Sequence, residues 1–190
     1  MKKVKKERKE KIMEIIQKAG DPDNYKISWD VNGAPYKIQK KANIKKGGKS
    51  RTSGSQFELK IRKDLESKGR IVDKWTNNVE FEKDADNQVI QETGKIIISR
   101  KYNPFKKMLF VGTGFPDFIS IKQIHEGVYS VIGVEVKMNG ILSKEEKEKC
   151  VWYLKNKIFS AIWIAKKGKK RGQIEYNDFT EKYRKKYNKP

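Results

Sequence analysis

Residues 114–137 read GFPDFISIKQIHEGVYSVIGVEVK, two apolar runs separated by His125-Glu126-Gly127. So short a connection between β-forming runs predicts an antiparallel hairpin of strands 115–121 and 128–137. If the loop is centred near residues 124–126, positions whose numbers add to roughly 250 lie opposite each other. Asp117, near the start of the first strand, is therefore expected to lie opposite Glu135, near the end of the second.

Three charged side chains lie on these apolar strands. Glu135 and Lys137 project from the same face, because alternate residues of a strand share a face, and Asp117 meets them across the hairpin. Two carboxylates this close repel each other unless a divalent cation lies between them, which is how Mg²⁺ is usually held. A salt bridge from Asp117 or Glu135 to Lys137 is the purely structural alternative.

The composition limits the chemistry that is available. The 190 residues include one cysteine, Cys150, and one histidine, His125. This excludes internal disulfides, zinc sites built on cysteine pairs and two-histidine metal sites. An enzyme of this composition depends on carboxylates, lysines and hydroxyls, with a hard cation such as Mg²⁺ as helper.

Membrane and secretory classes are also disfavoured. The sequence lacks an apolar run near the ~20 residues needed to cross a bilayer. Its N-terminus is charged but has no continuous apolar segment of the kind found in signal peptides. We therefore expect a protein of the reducing cytoplasm that contacts no membrane and uses no small-molecule cofactor.

Positive charge is concentrated at the two ends of the chain. Of a formal net charge of +21, residues 1–51 carry 16 basic and 6 acidic groups, and residues 166–190 carry 10 and 3. Such segregation favours a polyanionic partner, with nucleic acid ahead of an acidic membrane surface. The residues that we expect to contact phosphates are Lys45, Lys46, Lys49, Arg51, Ser53, Ser55, Lys169, Lys170 and Arg171.

The remaining pattern predicts helices packed against a sheet. A helix over 55–68, capped by Ser53 or Ser55, carries an apolar stripe, and Ser143 opens a second helix over 143–157. The other predicted elements are a helix over 3–19, an irregular basic arm over 21–53, strands over 70–76, 108–111 and 158–165, and a hairpin insertion over 78–103.

The charged motifs occur in an order that is known from one group of enzymes. Gly114-Phe-Pro-Asp117 is followed, after a gap of seventeen residues, by Glu135-Val-Lys137. Upstream, residues 54–69 read GSQFELKIRKDLESKG, a helix with a glutamate at Glu58, an apolar stripe and a glycine at its end. This arrangement resembles the PD-(D/E)XK nuclease superfamily over about residues 53–165. Within it, the archaeal Holliday-junction resolvases and the related VRR-type nuclease domains are most similar.

A further segment downstream fits the same resemblance. Leu142-Ser-Lys-Glu-Glu146 is similar to the opening of a helix in those families, with Glu146 at a position where glutamine is common. The resemblance implies an α/β fold with a restriction-endonuclease-like core. That core would be a central mixed β-sheet flanked by helices, preceded here by a basic N-terminal helical arm.

The resemblance also implies a set of catalytic residues: Glu58, Asp117, Glu135 and Lys137. Asp117 and Glu135, with the Val136 carbonyl, would hold one Mg²⁺ or Mn²⁺ ion. Glu58 would approach the metal from its helix, directly or through water. Lys137 would orient the attacking water or stabilise negative charge on the phosphate.

The function implied is a metal-dependent DNA endonuclease. Its substrate would be branched DNA such as a Holliday junction, cleaved by a homodimer in DNA recombination and repair. A non-catalytic nucleic-acid-binding protein that keeps the nuclease fold is one alternative. A restriction-like or mobile-element nuclease acting on duplex or flap DNA is another, and a viral or plasmid origin would suit it. The expected domains are a basic helix and arm over 1–52, a nuclease core over 53–165 and a basic tail over 166–190.

Overall fold

The computed structural model describes residues 2–33, 35–104, 106–112, 114–170 and 172–182, without the side chains of residues 2–9 and 36. The chain divides into two compact units, Met1–Gln56 and Phe57–Pro190. The division falls within a helix, so each unit is described by itself. No helix among the described residues is long and apolar enough to cross a membrane.

The first unit is a helix followed by a hairpin and the start of a second helix. Its elements are α1 (Lys2–Ala19), β1 (Tyr25–Trp29), β2 (Pro35–Lys40) and the beginning of α2 (Lys41–Ser67). The strands pair antiparallel, with Ile27 opposite Ile38. Gly33 adopts a positive φ of 73° in the connection, a conformation that glycine takes without steric cost.

The prediction of an irregular arm over 21–53 is wrong. The short polar strands give a weak alternation, which hid β1 and β2 from sequence reasoning. The predicted cap is also wrong, because Ser53 and Ser55 lie inside α2, which begins at Lys41. Glycines within this segment suggested a break, since each costs about 1 kcal/mol relative to alanine in a helix. The helix nevertheless runs through them.

The second unit is built on a five-stranded mixed sheet with the order β11-β10-β9-β8-β3. Its strands are β3 (Ile71–Lys74), β8 (Phe118–His125), β9 (Val128–Val136), β10 (Ala161–Lys167) and β11 (Ile174–Asp178). β9 and β10 are parallel and the other neighbours antiparallel. Helix α3 (Lys144–Lys155) provides the crossover that parallel neighbours require. The α/β class and the mixed central sheet are therefore confirmed.

The predicted central hairpin is confirmed together with its register. Phe118 pairs with Val134 and Ile119 with Gly133, so Asp117 and Glu135 are the next opposing positions. Gly133 is needed where it lies, because a Cβ atom there would come within 2.8 Å of Pro116 and 3.1 Å of Phe159. The two central strands can therefore pack closely beside the segment that carries Asp117.

The two faces of the sheet bury separate apolar clusters. On one face, the stripe of α2 formed by Phe57, Ile61 and Leu65 packs with residues such as Phe118 and Val134. On the other face, residues of α3 such as Cys150 and Tyr153 pack with Phe159, Ile162 and Ile164. Alternate residues of a strand face opposite sides, so β9 and β10 contribute to both clusters. The result is a helix layer on each side of the sheet.

Two further hairpins lie between β3 and β8. β4 (Asn77–Glu80) pairs with β5 (Lys95–Ile98), as the predicted insertion required. β6 (Arg100–Asn103) pairs with β7 (Met108–Val111). The predicted strand over 108–111 is present as β7, but it does not join the core, because all four of its residues are exposed. An apolar run indicates a strand but does not indicate which strand it pairs with.

The basic segment 166–190 contributes to the sheet. It contains the end of β10 and all of β11, which forms the edge. Ile174 and Tyr176 pack against the cluster on the α2 face. The many charged residues of this segment concealed that short alternation of apolar side chains.

Candidate active site

Two carboxylates meet at one end of the β8–β9 hairpin. The backbone N–H of Asp117 donates to Oε2 of Glu135 at 3.2 Å. In return, the backbone N–H of Val136 donates to Oδ2 of Asp117 at 2.9 Å. Each carboxylate is thus held by the backbone of the opposite strand, and these bonds use one oxygen of each. The predicted juxtaposition of Asp117 and Glu135 is present.

The environment of this pair disfavours its negative charge. The pKa of Glu135 rises to about 8, because burial disfavours the charged form and Asp117 adds a like charge, with Lys137 opposing the shift. The pKa of Asp117 is also raised, by burial and by the charge of Glu58, against the hydrogen bond from Val136. Two adjacent carboxyls that resist ionisation mark a place where added positive charge is stabilised.

Lys137 bridges this pair to helix α3. Its Nζ lies 3.2 Å from Oε1 of Glu135 and 2.5 Å from Oε1 of Glu146. Burial lowers the pKa of Lys137, but the two glutamates more than offset this and leave the pKa raised. The ion pair between Glu135 and Lys137 that the structural alternative requires is therefore present, and it includes a third member.

The capping box of α3 fixes that third member. Ser143 Oγ accepts from the N–H of Glu146, and Oε2 of Glu146 accepts from the N–H of Ser143. The other oxygen of Glu146 holds Lys137. Burial raises the pKa of Glu146, yet Lys137 and Ser143 together bring it below its ordinary value. A local helix-capping motif thus positions a charged group of the site.

Glu58 lies on α2 beside this group but has its own partner. Its Oε2 is 2.5 Å from Nζ of Lys74 on β3. Its charge is close enough to raise the pKa of Asp117. The structure therefore brings Asp117 into contact with Glu135, and Glu135 into contact with Lys137, while the direct contact of Glu58 is Lys74.

The protein atoms at this site could supply only part of the coordination sphere of a cation. Among the described residues, no three histidine, cysteine or acidic side chains are grouped closely enough to hold a metal ion by themselves. The atoms that are present, two carboxylates and nearby backbone, are the hard oxygen donors that Mg²⁺ prefers. Mg²⁺ commonly uses only one or two carboxylates and completes its coordination with water and phosphate. The residues fit that mode of binding.

The residues expected to contact phosphates are divided between the two units. Lys45, Lys46, Lys49 and Arg51 are exposed on the part of α2 that belongs to the first unit, together with exposed Ser55 and half-buried Ser53. Lys169 and Lys170 are exposed in the connection between β10 and β11 of the second unit. Arg171 lies outside the described residues.

Sequence reasoning missed two contributors to the site. The capping box Ser-x-x-Glu at 143–146 was a visible signal for the helix start, but it did not indicate that Glu146 would reach Lys137. Lys74 had no signal of its own, since it is one lysine among many on a short strand. Its contact with Glu58 appears only when α2 packs on the sheet.

The raised pKa of Glu135 predicts a pH-dependent stability in metal-free buffer. Its folded pKa of about 8 exceeds its ordinary value of 4.5, so the native protein binds this proton more tightly than the unfolded chain. Stability is then greatest below the ordinary pKa and is lost as the pH rises through about 8. We expect Glu135→Gln to remove this loss and to be more stable than the wild type at pH 8. Thermal melts in EDTA from pH 5 to 9 measure the effect.

Glu145→Gln is the matched control for this experiment. Glu145 is an exposed neighbour whose pKa is lowered by Lys149, so it does not titrate in this window. The control should follow the wild-type pH dependence. Equal stability losses for the wild type and Glu135→Gln would contradict the prediction.

Asp117 immediately precedes β8, Glu135 and Lys137 lie at the end of β9 and directly after it, and Glu146 lies in α3, all within a single compact unit. The chain matches no family model, no curated protein and no solved structure.

Proposed function

We propose that this chain is a metal-dependent DNA endonuclease with a restriction-endonuclease-like core. The observation that carries the proposal is the meeting of Asp117, Glu135 and Lys137 at one end of the central hairpin. Three ionisable side chains grouped at the end of an apolar hairpin are costly to desolvate unless they have a task or full compensation. Branched DNA, such as a four-way junction, is the proposed substrate.

The proposed metal site uses the carboxylates and the Val136 carbonyl. Asp117 and Glu135 would supply oxygen ligands to Mg²⁺ or Mn²⁺, and Glu58 would act from α2. When bound, the metal lowers the pKa of a water molecule and neutralises charge on the scissile phosphate. The backbone bonds from Val136 to Asp117 and from Asp117 to Glu135 hold the two carboxylates in place for this role.

Lys137 is proposed to act on the reacting phosphate. Its side chain is 29% exposed, whereas that of Glu135 is 6% exposed, so the ammonium is the more accessible group. Glu146 holds the ammonium beside the carboxylates. From there Lys137 can orient the attacking water or stabilise the negative charge that develops on phosphate oxygens.

A non-catalytic nucleic-acid-binding protein is the second candidate. Its support is that Lys137 and Lys74 already neutralise carboxylates of the site, while exposed basic residues remain on α2. In that case the charge pairs would be structural, and the basic surface would provide the function. Restriction-like cleavage of duplex or flap DNA is a variant of the nuclease proposal and differs in substrate only.

A cleavage assay with a panel of substrates separates these candidates. Purified protein is incubated with end-labelled four-way junction, flap, duplex and single-stranded DNA, each with Mg²⁺ and with EDTA. The proposal expects Mg²⁺-dependent cleavage with the junction as the best substrate. Preferred cleavage of duplex or flap would favour the restriction-like variant. Tight binding of all substrates without cleavage would favour the non-catalytic candidate and overturn the nuclease proposal.

The exposed basic residues of α2 predict a change in salt dependence. Residues 41–56 include five basic and no acidic side chains. Each neutralised phosphate contributes about −0.9 to the slope of log affinity against log salt. Changing Lys45, Lys46, Lys49 and Arg51 together to glutamine should therefore flatten the slope by up to about 3.6. Fluorescence anisotropy with duplex DNA at several salt concentrations measures it.

Two exposed lysines on α3 provide the control. Lys144→Gln with Lys155→Gln removes two exposed positive charges from α3. This pair should change the slope much less than the α2 variant. An unchanged slope in the α2 variant would show that these residues do not contact DNA.

A further inference from the structure

The β6–β7 hairpin exposes an unusual amount of apolar surface. The residues of β7 are 56%, 58%, 39% and 64% exposed from Met108 to Val111, and Tyr102 on β6 is 56% exposed. Successive residues of a strand face opposite sides, so both sides of this hairpin are largely exposed among the described residues. Two-stranded hairpins are marginal in water unless they pack on something. Contiguous exposed apolar surface of this kind commonly marks an interaction site.

The register places an aromatic side chain and a cation on each face of this hairpin. Arg100 pairs with Val111 and Tyr102 with Leu109, so Arg100 and Tyr102 share one face. On the opposite face Lys101 pairs directly with Phe110. Each face therefore combines a ring with a positive charge.

The charge around the hairpin indicates the kind of partner. No acidic residue occurs in the sequence from residue 93 to residue 116. The same segment has five basic residues, which are Lys95, Arg100, Lys101, Lys106 and Lys107. Nζ of Lys106 lies 5.5 Å from the ring centroid of Phe110. Aromatic rings among cations suit a polyanion that also offers flat apolar faces, which describes the unstacked bases of a nucleic acid.

The hairpin is joined closely to the carboxylate site. Asp117 follows Val111 by six positions, so fully extended chain spans at most about 20 Å between them. The N–H of Gly114 donates to the carbonyl of Trp75 at 2.9 Å, and the N–H of Trp75 donates to the carbonyl of Asp117 at 3.2 Å. A Cβ atom at Gly114 would lie 1.9 Å from the carbonyl oxygen of Asn77, so the backbones approach as closely as only glycine permits.

We propose that the β6–β7 hairpin binds unpaired bases of DNA next to the phosphate that the site attacks. Tyr102 and Phe110 stack on bases, and the basic residues of the hairpin contact the neighbouring phosphates. The substrate class that follows is DNA with a single-stranded or splayed segment, such as a fork or an opened junction, rather than fully paired duplex. This inference rests on the proposed nuclease function, because it assigns the substrate of the same site.

The test compares binding of a fork and of a duplex of equal length. Both carry 2-aminopurine, at the first unpaired position of the fork and at the matching paired position of the duplex. Anisotropy in EDTA gives the affinities without cleavage, and 2-aminopurine fluorescence reports stacking. We expect the wild type to prefer the fork and to quench its fluorescence. Tyr102→Ala with Phe110→Ala should weaken fork binding by about 5- to 150-fold for each stacked base lost.

The β8–β9 hairpin of the same unit supplies the matched control. Tyr129 and Ile124 on β9 and β8 are each 56% exposed, equal to Tyr102. Tyr129→Ala with Ile124→Ala should keep the fork preference and the quenching. Thermal melts of both double variants establish that each remains folded.

The outcomes separate this inference from the proposed nuclease function. Equal fork and duplex affinity in the wild type, or a fork preference that survives Tyr102→Ala with Phe110→Ala, would overturn the hairpin proposal even if the protein cleaves DNA. Sedimentation that shows a wild-type dimer dissociated by this double variant would assign the hairpin to self-association and also overturn it. Fork binding that depends on the hairpin in a protein without Mg²⁺-dependent cleavage would support the hairpin and contradict only the nuclease.

Discussion

Asp117→Asn is expected to reduce DNA cleavage by at least about 1,000-fold while leaving DNA binding intact. Asparagine retains an oxygen that can accept the hydrogen bond from Val136, so the end of the hairpin should keep its geometry. The substitution removes one of two charges that would neutralise a bound cation. Single-turnover cleavage in Mg²⁺ and anisotropy in EDTA measure the two properties. The measured loss should persist at every Mg²⁺ concentration up to saturation of the wild type.

Glu58→Gln is the graded comparison for this prediction. The carboxylate of Glu58 already pairs with Lys74, so we expect a contact with the metal through water and a loss of about 10-fold only. An equal loss in Glu58→Gln and Asp117→Asn would instead place Glu58 directly on the metal. Cleavage at the wild-type rate by Asp117→Asn would contradict the assignment of the site.

Lys137→Met is expected to slow cleavage by at least about 100-fold, the usual scale for losing one electrostatic stabiliser of a transition state. The variant leaves Glu135 and Glu146 without their shared cation, so it should also be less stable than the wild type in EDTA. Added Mg²⁺ should restore the stability, because the metal compensates the carboxylates. It should not restore cleavage, because the missing ammonium acts on the phosphate. Calorimetric metal titration beside single-turnover cleavage measures both effects.

Two further variants define the role of the lysine. Lys137→Arg should rescue cleavage poorly, because a planar guanidinium cannot replace a compact ammonium. Glu146→Gln keeps one acceptor oxygen, which can satisfy either the N–H of Ser143 or the ammonium of Lys137 but not both, and it removes a charge. Because Glu146 acts only through Lys137, the loss of cleavage should be about 10-fold, smaller than that of Lys137→Met. Near-wild-type cleavage by Lys137→Met at saturating Mg²⁺ would show that Lys137 serves only as a salt bridge.

The sequence alone was sufficient for the carboxylate pair. A short loop sets the register of an antiparallel hairpin, so the position of Asp117 opposite Glu135 follows from the distance of each residue to the turn. The apolar stripe of α2 and the capped start of α3 at Ser143 were equally legible, because both depend on residues within one or two helical turns. These features are local, and local chemistry determines them.

The partners of the charged groups were decided only by the tertiary structure. Glu146 meets Lys137 because α3 crosses the sheet at one particular place, and Glu58 meets Lys74 because α2 packs beside β3. The sequence contains 45 basic residues, so charge type alone could not single out these lysines.

The pairing of strands that are distant in the sequence could likewise not be predicted from the sequence. β11 forms the edge of the five-stranded sheet, whereas β7 pairs with β6 outside that sheet, although β7 is the more apolar of the two. Hydrophobicity and alternation describe one strand at a time, whereas membership of a sheet depends on which backbone edge is free when distant segments come together. For this protein, local pattern determined the apolar stripe of α2, the capped start of α3, the hairpin register and the carboxylate pair. Long-range packing determined the bridging lysine network and the exposed hairpin.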